Sequence, residues 1–436
     1  MVERVFRRQK GEPIDLEAVE KALREMGQRL SGSVLEKVLN ADGGLYQGSQ
    51  IDCGKGHQAR YVEQREKQLV TVVGTVQVRR AYYHCVGCRA GVFPKDVELD
   101  IVGTSFSPGV KRMMGYVGGR EPFENGRMSL KELAGVEIST KAVERTAEAI
   151  GEEIEEMTRR ELEMAMSEKV ERLERKQDIA TMYIAMDGTG VPIVGRETQG
   201  RKGRSEDGRA KTREAKLGCV FTQTTTDKEG RPVRDENSTS YVGGIEEAGP
   251  FGKRIYAEAV RRGLNNARRL VVIGDGAPWI WGVADMHFPG GIQIVDLYHA
   301  LERVAEVSKT VFGAESSKWK GWAQSRGEAL KRGDVELVIR NLRRLRPRAP
   351  KAKKVVAVAI EYFQRNRERM RYGKFRDAGL FIGSGVVEAG CKNVIGKRLK
   401  QSGMWWTVRG ANSIIWLRCC QLSGRWEDHW DLRRAA

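Results

Sequence analysis

The segment ATMYIAMDGTGVPIV at residues 180–194 is an apolar run that reaches Asp187 and then continues through small residues. Two later apolar runs also end in an aspartate: RRLVVIGDGAPWIW at 268–281, with Asp275, and GIQIVDLYHA at 291–300, with Asp296. Apolar runs of strand length, separated by helical segments, are typical of an α/β sheet. Sites in such sheets lie at the carboxyl ends of the strands. The sequence therefore predicts an α/β domain with its functional site where these aspartates lie.

The chain of 436 residues carries 76 Lys+Arg and 58 Asp+Glu, a formal charge of +18. Residues 331–410 contain 21 basic and 6 acidic residues, and the segment 195–216 contains 8 basic and 4 acidic residues. Such local basic excess indicates a polyanion partner, most simply DNA, although a generally basic solvated surface is the alternative. The composition excludes a disordered chain, and no apolar run is long enough for a membrane span or a signal peptide. We expect a bacterial cytoplasmic, nucleoid-associated protein.

Two pairs of soft metal ligands flank a predicted hairpin in the N-terminal part. The alternating run QLVTVVGTVQVRRAYYHC at 68–85 turns at Gly74, which predicts two antiparallel strands. The ligand pairs are Cys53-x3-His57 before the hairpin and Cys85-x2-Cys88 at its end. Pairs on both sides of a hairpin can converge on a tetrahedral Zn²⁺, as in a zinc ribbon. Ordinary buried thiols are the alternative, and the adjacent His84 is a further candidate ligand.

The segment MSLKELAGVEISTKAVERTAEAIG at 128–151 predicts a helix, a turn and a second helix. Leu130 and Leu133 would form the apolar face of the first helix, and the second would project Lys141 and Arg145. This pattern suits a DNA-binding helix-turn-helix, but it is equally that of an ordinary helix pair. The charged stretch 151–177 predicts a long solvated connecting helix.

Three carboxylates lie close to small residues in otherwise regular segments: Asp187 in MDGTG, Asp275 in GDGAP and Glu388 in GSGVVEAG. Carboxylate oxygens are the ligands that Mg²⁺ and Mn²⁺ prefer, and two such ions can activate the attacking oxygen and stabilise the leaving oxygen of a phosphodiester. An aspartate at a strand end is also a common cap or turn former, so each residue taken alone has a structural alternative.

The motifs MDGTG, GDGAPWIW, VDLYHALERV and GSGVVEAGCKNVIGKRLKQSGMWW occur in this order, and together they resemble the ISKra family of bacterial insertion-sequence transposases. The resemblance covers nearly the whole chain. It implies a DDE recombinase with an RNase H-like catalytic fold, in which Asp187, Asp275 and Glu388 bind two Mg²⁺ or Mn²⁺ ions. The D-x-x-H of Asp296 and His299 resembles a motif of Mutator-like transposases, and the long interval before Glu388 resembles their all-helical insertion.

Several further residues are candidates for contact with DNA. His299 could orient a phosphate, or it could be a histidine of the core. Basic residues follow Glu388 at helical spacing. Trp405 and Trp406 could stack on an unpaired base, although core packing is the simpler expectation. The predicted DNA-binding residues are His299, Lys392, Lys397, Arg398, Lys400, Lys141 and Arg145.

The expected fold class is therefore an α/β, RNase H-like catalytic domain with an all-helical insertion, preceded by helical, zinc-ribbon-like and helix-turn-helix modules. The predicted segments are 1–50 (helical), 51–100 (zinc-ribbon-like), 101–178 (helix-turn-helix and connecting helix), 179–299 (catalytic), 300–375 (insertion) and 376–436 (catalytic, with Glu388). The expected function is DNA transposition, with structural Zn²⁺ and at least a dimer at the paired ends. A catalytically idle DNA-binding protein and a metal-dependent nuclease of the same fold are the alternatives.

Overall fold

The computed structural model describes residues 15–167, 179–203 and 208–435, which form two compact units, Met1–Ala147 and Glu148–Ala436. The boundary between the units falls inside the predicted segment 101–178, and the finer six-part division stays a prediction. The end of the predicted connecting helix, 168–178, lies outside the described residues. Among the described residues, no helix has both the length and the apolar content that crossing a membrane requires.

The first unit is built around a four-stranded antiparallel sheet with the strand order β1-β2-β3-β4. Its elements are α1 (Leu16–Asn40), β1 (Gln50–Asp52), β2 (Gln58–Thr71), β3 (Gly74–Cys85), β4 (Ala90–Val92), α2 (Pro94–Glu98), α3 (Pro108–Arg120) and α4 (Phe123–Ser129). The predicted hairpin is confirmed, since Thr71 pairs with Gly74 at its tip. Gly74 has φ 114°, a backbone conformation that favours glycine. Val76, Val78 and Leu69 are buried beneath Ile101 in the core of this hairpin.

A helix pair follows the sheet, as the sequence predicts. Helix α4 continues into a π-helical turn, Leu130–Ala134, and ends at Gly135 in the left-handed conformation. The Ser139 hydroxyl then accepts a hydrogen bond from the Ala142 N–H and caps α5 (Thr140–Met166). Leu130 is buried, but Leu133 is 80% exposed. The expectation that Leu133 belongs to the apolar face is wrong, because the π-helical turn rotates it away from the other helices. Whether the pair binds DNA stays a prediction.

The second unit contains a five-stranded mixed sheet with the strand order β11-β10-β5-β6-β9. The strands of this unit are β5 (Thr181–Pro192), β6 (Thr212–Gln223), β7 (Thr225–Thr226), β8 (Pro232–Val233), β9 (Ser240–Gly244), β10 (Leu270–Gly274) and β11 (Ile292–Val295). Strands β5, β6 and β9 pair antiparallel, whereas β10 is parallel to both β5 and β11. The mixed α/β architecture agrees with the expected fold class and is compatible with an RNase H-like domain.

Helices cover the sheet and fill the long interval between β11 and Glu388. They are α6 (Ala248–Arg261), α7 (Pro278–His287), α8 (Leu297–Phe312), α9 (Ser317–Arg332), α10 (Val335–Arg344), α11 (Pro350–Arg365), α12 (Tyr372–Asp377), α13 (Gly385–Gly390), α14 (Lys397–Leu399), α15 (Val408–Leu422) and α16 (Trp426–Ala435). Residues 300–375 contain helices and a 3-10 turn but no strand, as expected for the insertion. Helix α13 leads through a π-helical segment, Cys391–Gly396, into α14.

The part of α5 that belongs to the second unit is less solvated than its charge suggests. Gly151 packs so closely that an added Cβ would lie 2.1 Å from the Ser413 carbonyl oxygen of α15. Along the same helix, Glu155 binds the Arg254 guanidinium at 2.6 Å, and Arg254 also binds Glu246 at 2.9 Å. Arg254 is mostly buried, so these charges neutralise each other inside the protein.

Candidate functional site

Three aspartates follow paired positions on three adjacent strands of the five-stranded sheet, β5, β10 and the edge strand β11. In the parallel register, Met186 of β5 pairs with Gly274 of β10, and Gly274 pairs with Val295 of β11. The next residue in each chain segment is an aspartate, namely Asp187, Asp275 and Asp296. Backbone pairing alone therefore brings together three aspartates that are spread over residues 187–296.

Asp187 does not end its strand. Strand β5 continues to Pro192 through antiparallel pairing with β6, so Asp187 lies where β5 leaves its parallel neighbour. Its Oδ1 accepts a hydrogen bond from the Gly188 N–H at 2.7 Å, and the Cys391 thiol donates a second one. Burial and the negative charge of Asp275 raise the pKa of Asp187, although these hydrogen bonds and the nearby His299 oppose the rise. The two aspartates therefore lie close enough to repel each other.

Asp275 is held by a tight turn at the end of β10. Its Oδ1 accepts a hydrogen bond from the Ala277 N–H at 2.8 Å, and its carbonyl oxygen accepts one from the Tyr362 hydroxyl at 2.9 Å. Gly276 has φ 95°, and a Cβ at that position would lie 2.6 Å from the Tyr362 ring. Glycine is thus required at this position by the positive φ and by the close packing of Tyr362.

Asp296 has a different role from the other two aspartates. It is completely buried, and its Oδ1 accepts a hydrogen bond from the His299 N–H at 2.9 Å, which caps α8. Its Oδ2 accepts a hydrogen bond from the backbone N–H of Ser384, in the turn before α13. The carboxylate thus joins the helix that carries His299 to the turn that leads to Glu388. Both of its oxygens are used within the protein, so Asp296 is a positioning residue in this site.

Glu388 lies in the first turn of α13, next to His299. Its Oε1 is 3.1 Å from the Ser384 hydroxyl and 3.8 Å from His299 Nε2. One ligand atom from each of Asp296, His299 and Glu388 lies within 4.8 Å of the others. Within the described residues, His299 Nε2 is buried and has no hydrogen-bond partner. His299 therefore faces the carboxylate cluster and is not a packing residue of the sheet core.

The arrangement of donors fits a hard divalent cation. Asp187 and Asp275 lie side by side, and Cys391, one helical turn after Glu388, touches Asp187. Burial, together with the neighbouring Asp275, raises the pKa of Asp187 and so disfavours its ionised form. A bound cation would favour the ionised form, and carboxylate oxygens are the ligands that Mg²⁺ selects. The residues present are therefore compatible with the expected metal site.

The basic residues that follow Glu388 separate into two groups. Lys392, Lys397 and Lys400 are exposed, and the Lys400 ammonium donates to the Thr189 hydroxyl beside Asp187. Burial lowers the pKa of Lys400, while Cys391 and Asp187 oppose this effect.

Arg398 does not belong with those lysines. It is completely buried, with its guanidinium 5.1 Å from the centre of the Trp406 ring. Burial and the nearby Arg418 lower its pKa to about 10. The prediction that Arg398 contacts DNA is wrong for this conformation, because Trp406 and the surrounding core separate its guanidinium from solvent.

The remaining candidates lie elsewhere. Lys141 and Arg145 are exposed on α5 in the first unit, and Lys141 forms an ion pair with Glu144 at 2.7 Å. The two tryptophans differ: Trp406 is 7% exposed and belongs to the core, whereas Trp405 is 56% exposed. The packing alternative is therefore correct for Trp406 only.

The four predicted zinc ligands of the first unit come together. One ligand atom from each of Cys53, His57, Cys85 and Cys88 lies within 4.8 Å of the others. The Cys53 and Cys88 sulfurs are 3.5 Å apart, and His57 Nδ1 is 3.2 Å from the Cys88 sulfur. Tetrahedral Zn²⁺ with bonds of about 2.3 Å places its sulfur ligands about 3.8 Å apart. This Cys3His group could therefore bind zinc with little rearrangement.

The electrostatics of this cluster also suit a cation. Hydrogen bonding to the Cys53 sulfur, then burial and the Cys85 sulfur, raise the pKa of Cys88 to about 11. Burial opposes ionisation of Cys53, but backbone hydrogen bonds at Lys55 and His57 lower its pKa to about 7. One thiol thus ionises readily and its neighbour does not, because crowded thiolates repel. His84 points away from the cluster, toward the Tyr82 hydroxyl at 3.5 Å, so it is not one of the ligands.

Sequence reasoning did not identify Tyr362 and Ser384 as parts of the site. Tyr362 lies in the middle of an amphipathic insertion helix, and Ser384 in a Gly/Ser turn, so neither has a distinctive local pattern. The only usable signal was the position of Ser384, four residues before Glu388.

Comparison with known proteins does not identify a family for this chain. No protein-family model and no curated protein matches the chain. Among solved structures, the chain is similar to a Drosophila P element transposase strand transfer complex, with 10% identity and a TM-score of 0.25 over 77% of this chain and 83% of that chain. At this TM-score the similarity is a distant one.

Proposed function

We propose that this protein is a DNA transposase of a bacterial insertion sequence, of the ISKra type, with an RNase H-like catalytic domain. It would bind the terminal inverted repeats of its element, cleave at their ends and transfer the 3′-hydroxyl strand to target DNA. The observation that carries the proposal is that Asp187 and Asp275 follow paired positions of adjacent parallel strands, and that His299, which lies 3.8 Å from Glu388, interacts electrostatically with Asp187.

The strand order supports the RNase H-like assignment. Strands β5, β6 and β9 form an antiparallel meander, and β10 and β11 lie on the other side of β5, parallel to it. Counted along the chain within the five-stranded sheet, β5 is the first strand and β10 the fourth, and the two are neighbours. The motif resemblance implies that these two strands carry the first two acidic residues of a DDE site. Asp187 lies on the first strand of the domain and Asp275 directly follows the fourth.

Asp187, Asp275 and Glu388 would hold two divalent cations, which when bound supply positive charge to the attacking and leaving oxygens of a phosphodiester. The other residues act on the DNA itself. His299 Nε2 is buried, lies 3.8 Å from Glu388 and has no hydrogen-bond partner among the described residues, so it would contact a phosphate oxygen only after the DNA or a local movement uncovers it. Lys400 places an ammonium next to Thr189 and would neutralise a second phosphate.

The chemistry consists of two in-line phosphoryl transfers. In cleavage, water forms a bond to phosphorus while the bond to the 3′-oxygen breaks, and that oxygen takes up a proton and leaves as a 3′-hydroxyl. In strand transfer, this hydroxyl attacks a target phosphodiester and releases a new 3′-hydroxyl. Joining two ends requires at least two copies of the chain. The zinc module and the helix pair with Lys141 and Arg145 would recognise the ends.

The test supplies purified protein with a pre-cleaved 3′-end of the element, target plasmid and Mg²⁺. We expect joined product from the parent protein and none from Asp187→Asn, Asp275→Asn or Glu388→Gln, while DNA binding is retained. Glu361→Gln, an exposed carboxylate on α11, is the matched control and should join normally. Cutting without joining would indicate a nuclease, and binding without either reaction would indicate an idle DNA-binding protein.

A further inference from the structure

A basic groove lies beyond the carboxylate site, at the far end of β5. It has a volume of about 960 Å³. It is lined by residues of the connection between β5 and β6, within 193–201 and 209–211, together with Trp405. None of the proposed metal ligands lies in it, and of the individual residues that the sequence suggested for DNA contact it contains Trp405 alone.

The backbone fixes Trp405 at this groove. The neighbouring residue, Trp406, donates its N–H to the Pro192 carbonyl at 3.2 Å and accepts a hydrogen bond from the Val194 N–H at 2.9 Å. The indole N–H of Trp406 also donates to the Leu399 carbonyl at 3.1 Å, inside the core. Because successive side chains of an extended backbone point in opposite directions, Trp405 faces outward. An indole held open to solvent beside charged groups indicates a binding surface.

Among the described residues, the lining of the groove contains basic side chains and no carboxylate. Its charged lining residues are Arg196, Arg201, Arg209 and Lys211. Glu197, next to Arg196 in sequence, accepts a hydrogen bond from the Val408 N–H at 2.7 Å and lies 3.8 Å from the Arg196 guanidinium. A flat aromatic ring surrounded by cations is the surface that single-stranded nucleic acid requires, since bases stack on the ring and phosphates meet the cations.

The distance from the carboxylate site to the groove follows from the number of residues between Asp187 and Ile193. Ile193, directly after β5, is six residue steps from Asp187, which at about 3.3 Å per step is about 20 Å. Lys400, bonded to Thr189, lies along this path. Duplex DNA, which rises about 3.4 Å per base pair, covers the same distance in about six base pairs.

We propose that this groove binds an unpaired base of the DNA substrate, stacked on Trp405, about six nucleotides from the phosphate that is cleaved. Arg201 and Lys211 contact the phosphates on either side of that base. The proposal rests on the proposed function, since the distance is counted from the carboxylate site. It adds a requirement for local strand separation near the transposon end.

The first experiment measures base stacking with a 12-nucleotide oligo(dT) strand that carries one 2-aminopurine, in Ca²⁺. We expect the full chain to quench the 2-aminopurine, Trp405→Ala to lose the quenching and bind about 5- to 150-fold more weakly, and Trp405→Phe to retain both. Arg201→Ala with Lys211→Ala should reduce the salt dependence of binding. Met286→Ala, an exposed apolar residue elsewhere in the same unit, is the control and should behave as the parent.

The second experiment places 2-aminopurine at successive positions from the cleavage point in a transposon-end duplex. Maximal signal change is expected five to seven nucleotides away. Unchanged quenching and affinity in Trp405→Ala, or a maximum at the cleavage point itself, would overturn the groove proposal. The two proposals fail separately: Asp187→Asn should keep the Trp405-dependent signal, so a chain that shows this signal but neither cuts nor joins DNA contradicts the transposase and not the groove.

Discussion

The buried carboxylate of Asp296 accepts a hydrogen bond from the backbone N–H of Ser384, and the Ser384 hydroxyl in turn lies 3.1 Å from Glu388. Residues 88 positions apart in sequence are thereby joined beneath the candidate site. Asp296 is the central residue of this arrangement because its second oxygen caps the helix that carries His299.

Asp296→Asn should therefore reduce turnover without weakening DNA binding. The amide offers one acceptor oxygen in place of two, so one buried N–H loses its partner, at a cost of about 1–3 kcal/mol. Asp334→Asn is the matched control, since Asp334 caps α10 through the Leu337 N–H at 3.0 Å in the insertion. We expect only Asp296→Asn to lower the melting temperature and to lose strand transfer, because Asp334→Asn keeps the one acceptor oxygen that the cap uses. Equal activity of the two variants would remove the positioning role.

Asp187→Asn should stabilise the protein in the absence of divalent metal. The folded-state pKa of Asp187 is raised by burial and by Asp275, so the folded protein binds a proton more tightly than the unfolded chain. Stability therefore falls as pH rises from the ordinary aspartate pKa through the raised value. Thermal unfolding in EDTA should show Asp187→Asn melting above the parent at neutral pH and level with it in acid. Mg²⁺ should raise the melting temperature of the parent only.

Gly276→Ala should destabilise the turn that holds Asp275. The positive φ costs a non-glycine residue about 1–2 kcal/mol, and the added Cβ would collide with the Tyr362 ring. Gly385→Ala is the control, because no atom lies within 4 Å of its added Cβ and its φ is not positive. Chemical denaturation and strand transfer measured on both variants test this. A parent-like Gly276→Ala would show that Tyr362 moves freely.

The first unit should hold one zinc ion through its Cys3His group. Cys88→Ser and His57→Gln should each lose stoichiometric zinc and unfold the module at lower temperature, because zinc binding contributes folding energy. His84→Gln should keep its zinc, since His84 bonds toward Tyr82 instead. Metal analysis of the three purified variants decides this. Absence of zinc from the parent protein would contradict the assignment.

Replacement of the mostly buried Arg254 should strongly lower the free energy of unfolding of the second unit. Arg254→Ala leaves Glu155 and Glu246 without their shared partner in a largely buried position, which costs about 3–5 kcal/mol. Arg159→Ala, which removes an exposed pair with Glu156 on the same helix as Glu155, should cost less than about 1 kcal/mol. Urea denaturation of the two variants gives the comparison, and similar losses would contradict it.

Local patterns predicted the parts of the fold that depend on near neighbours. The zinc ligands flank one hairpin, so its register brings them together, and the strands that lead to Asp275 and Asp296 are continuous apolar runs. Strand β9 was not predicted, because SYVGG is short and its glycines resemble a loop; it is a strand because it pairs with β6. The burial of Arg398 was also not predicted, since a helical run rich in lysine and arginine is typical of a solvent-exposed face.

The sequence by itself determined which residue types are available: carboxylates next to apolar strands, four soft ligands around a hairpin, and two adjacent tryptophans. These follow from residue chemistry and from periods of a few residues. Only the tertiary structure decided that both carboxylate oxygens of Asp296 accept backbone N–H groups and that His299 Nε2 faces Glu388. It also decided that Trp406 is buried in the core while Trp405 is exposed. The physical reason is that hydrogen-bond satisfaction and burial are set by groups far away in the chain, which no local pattern records.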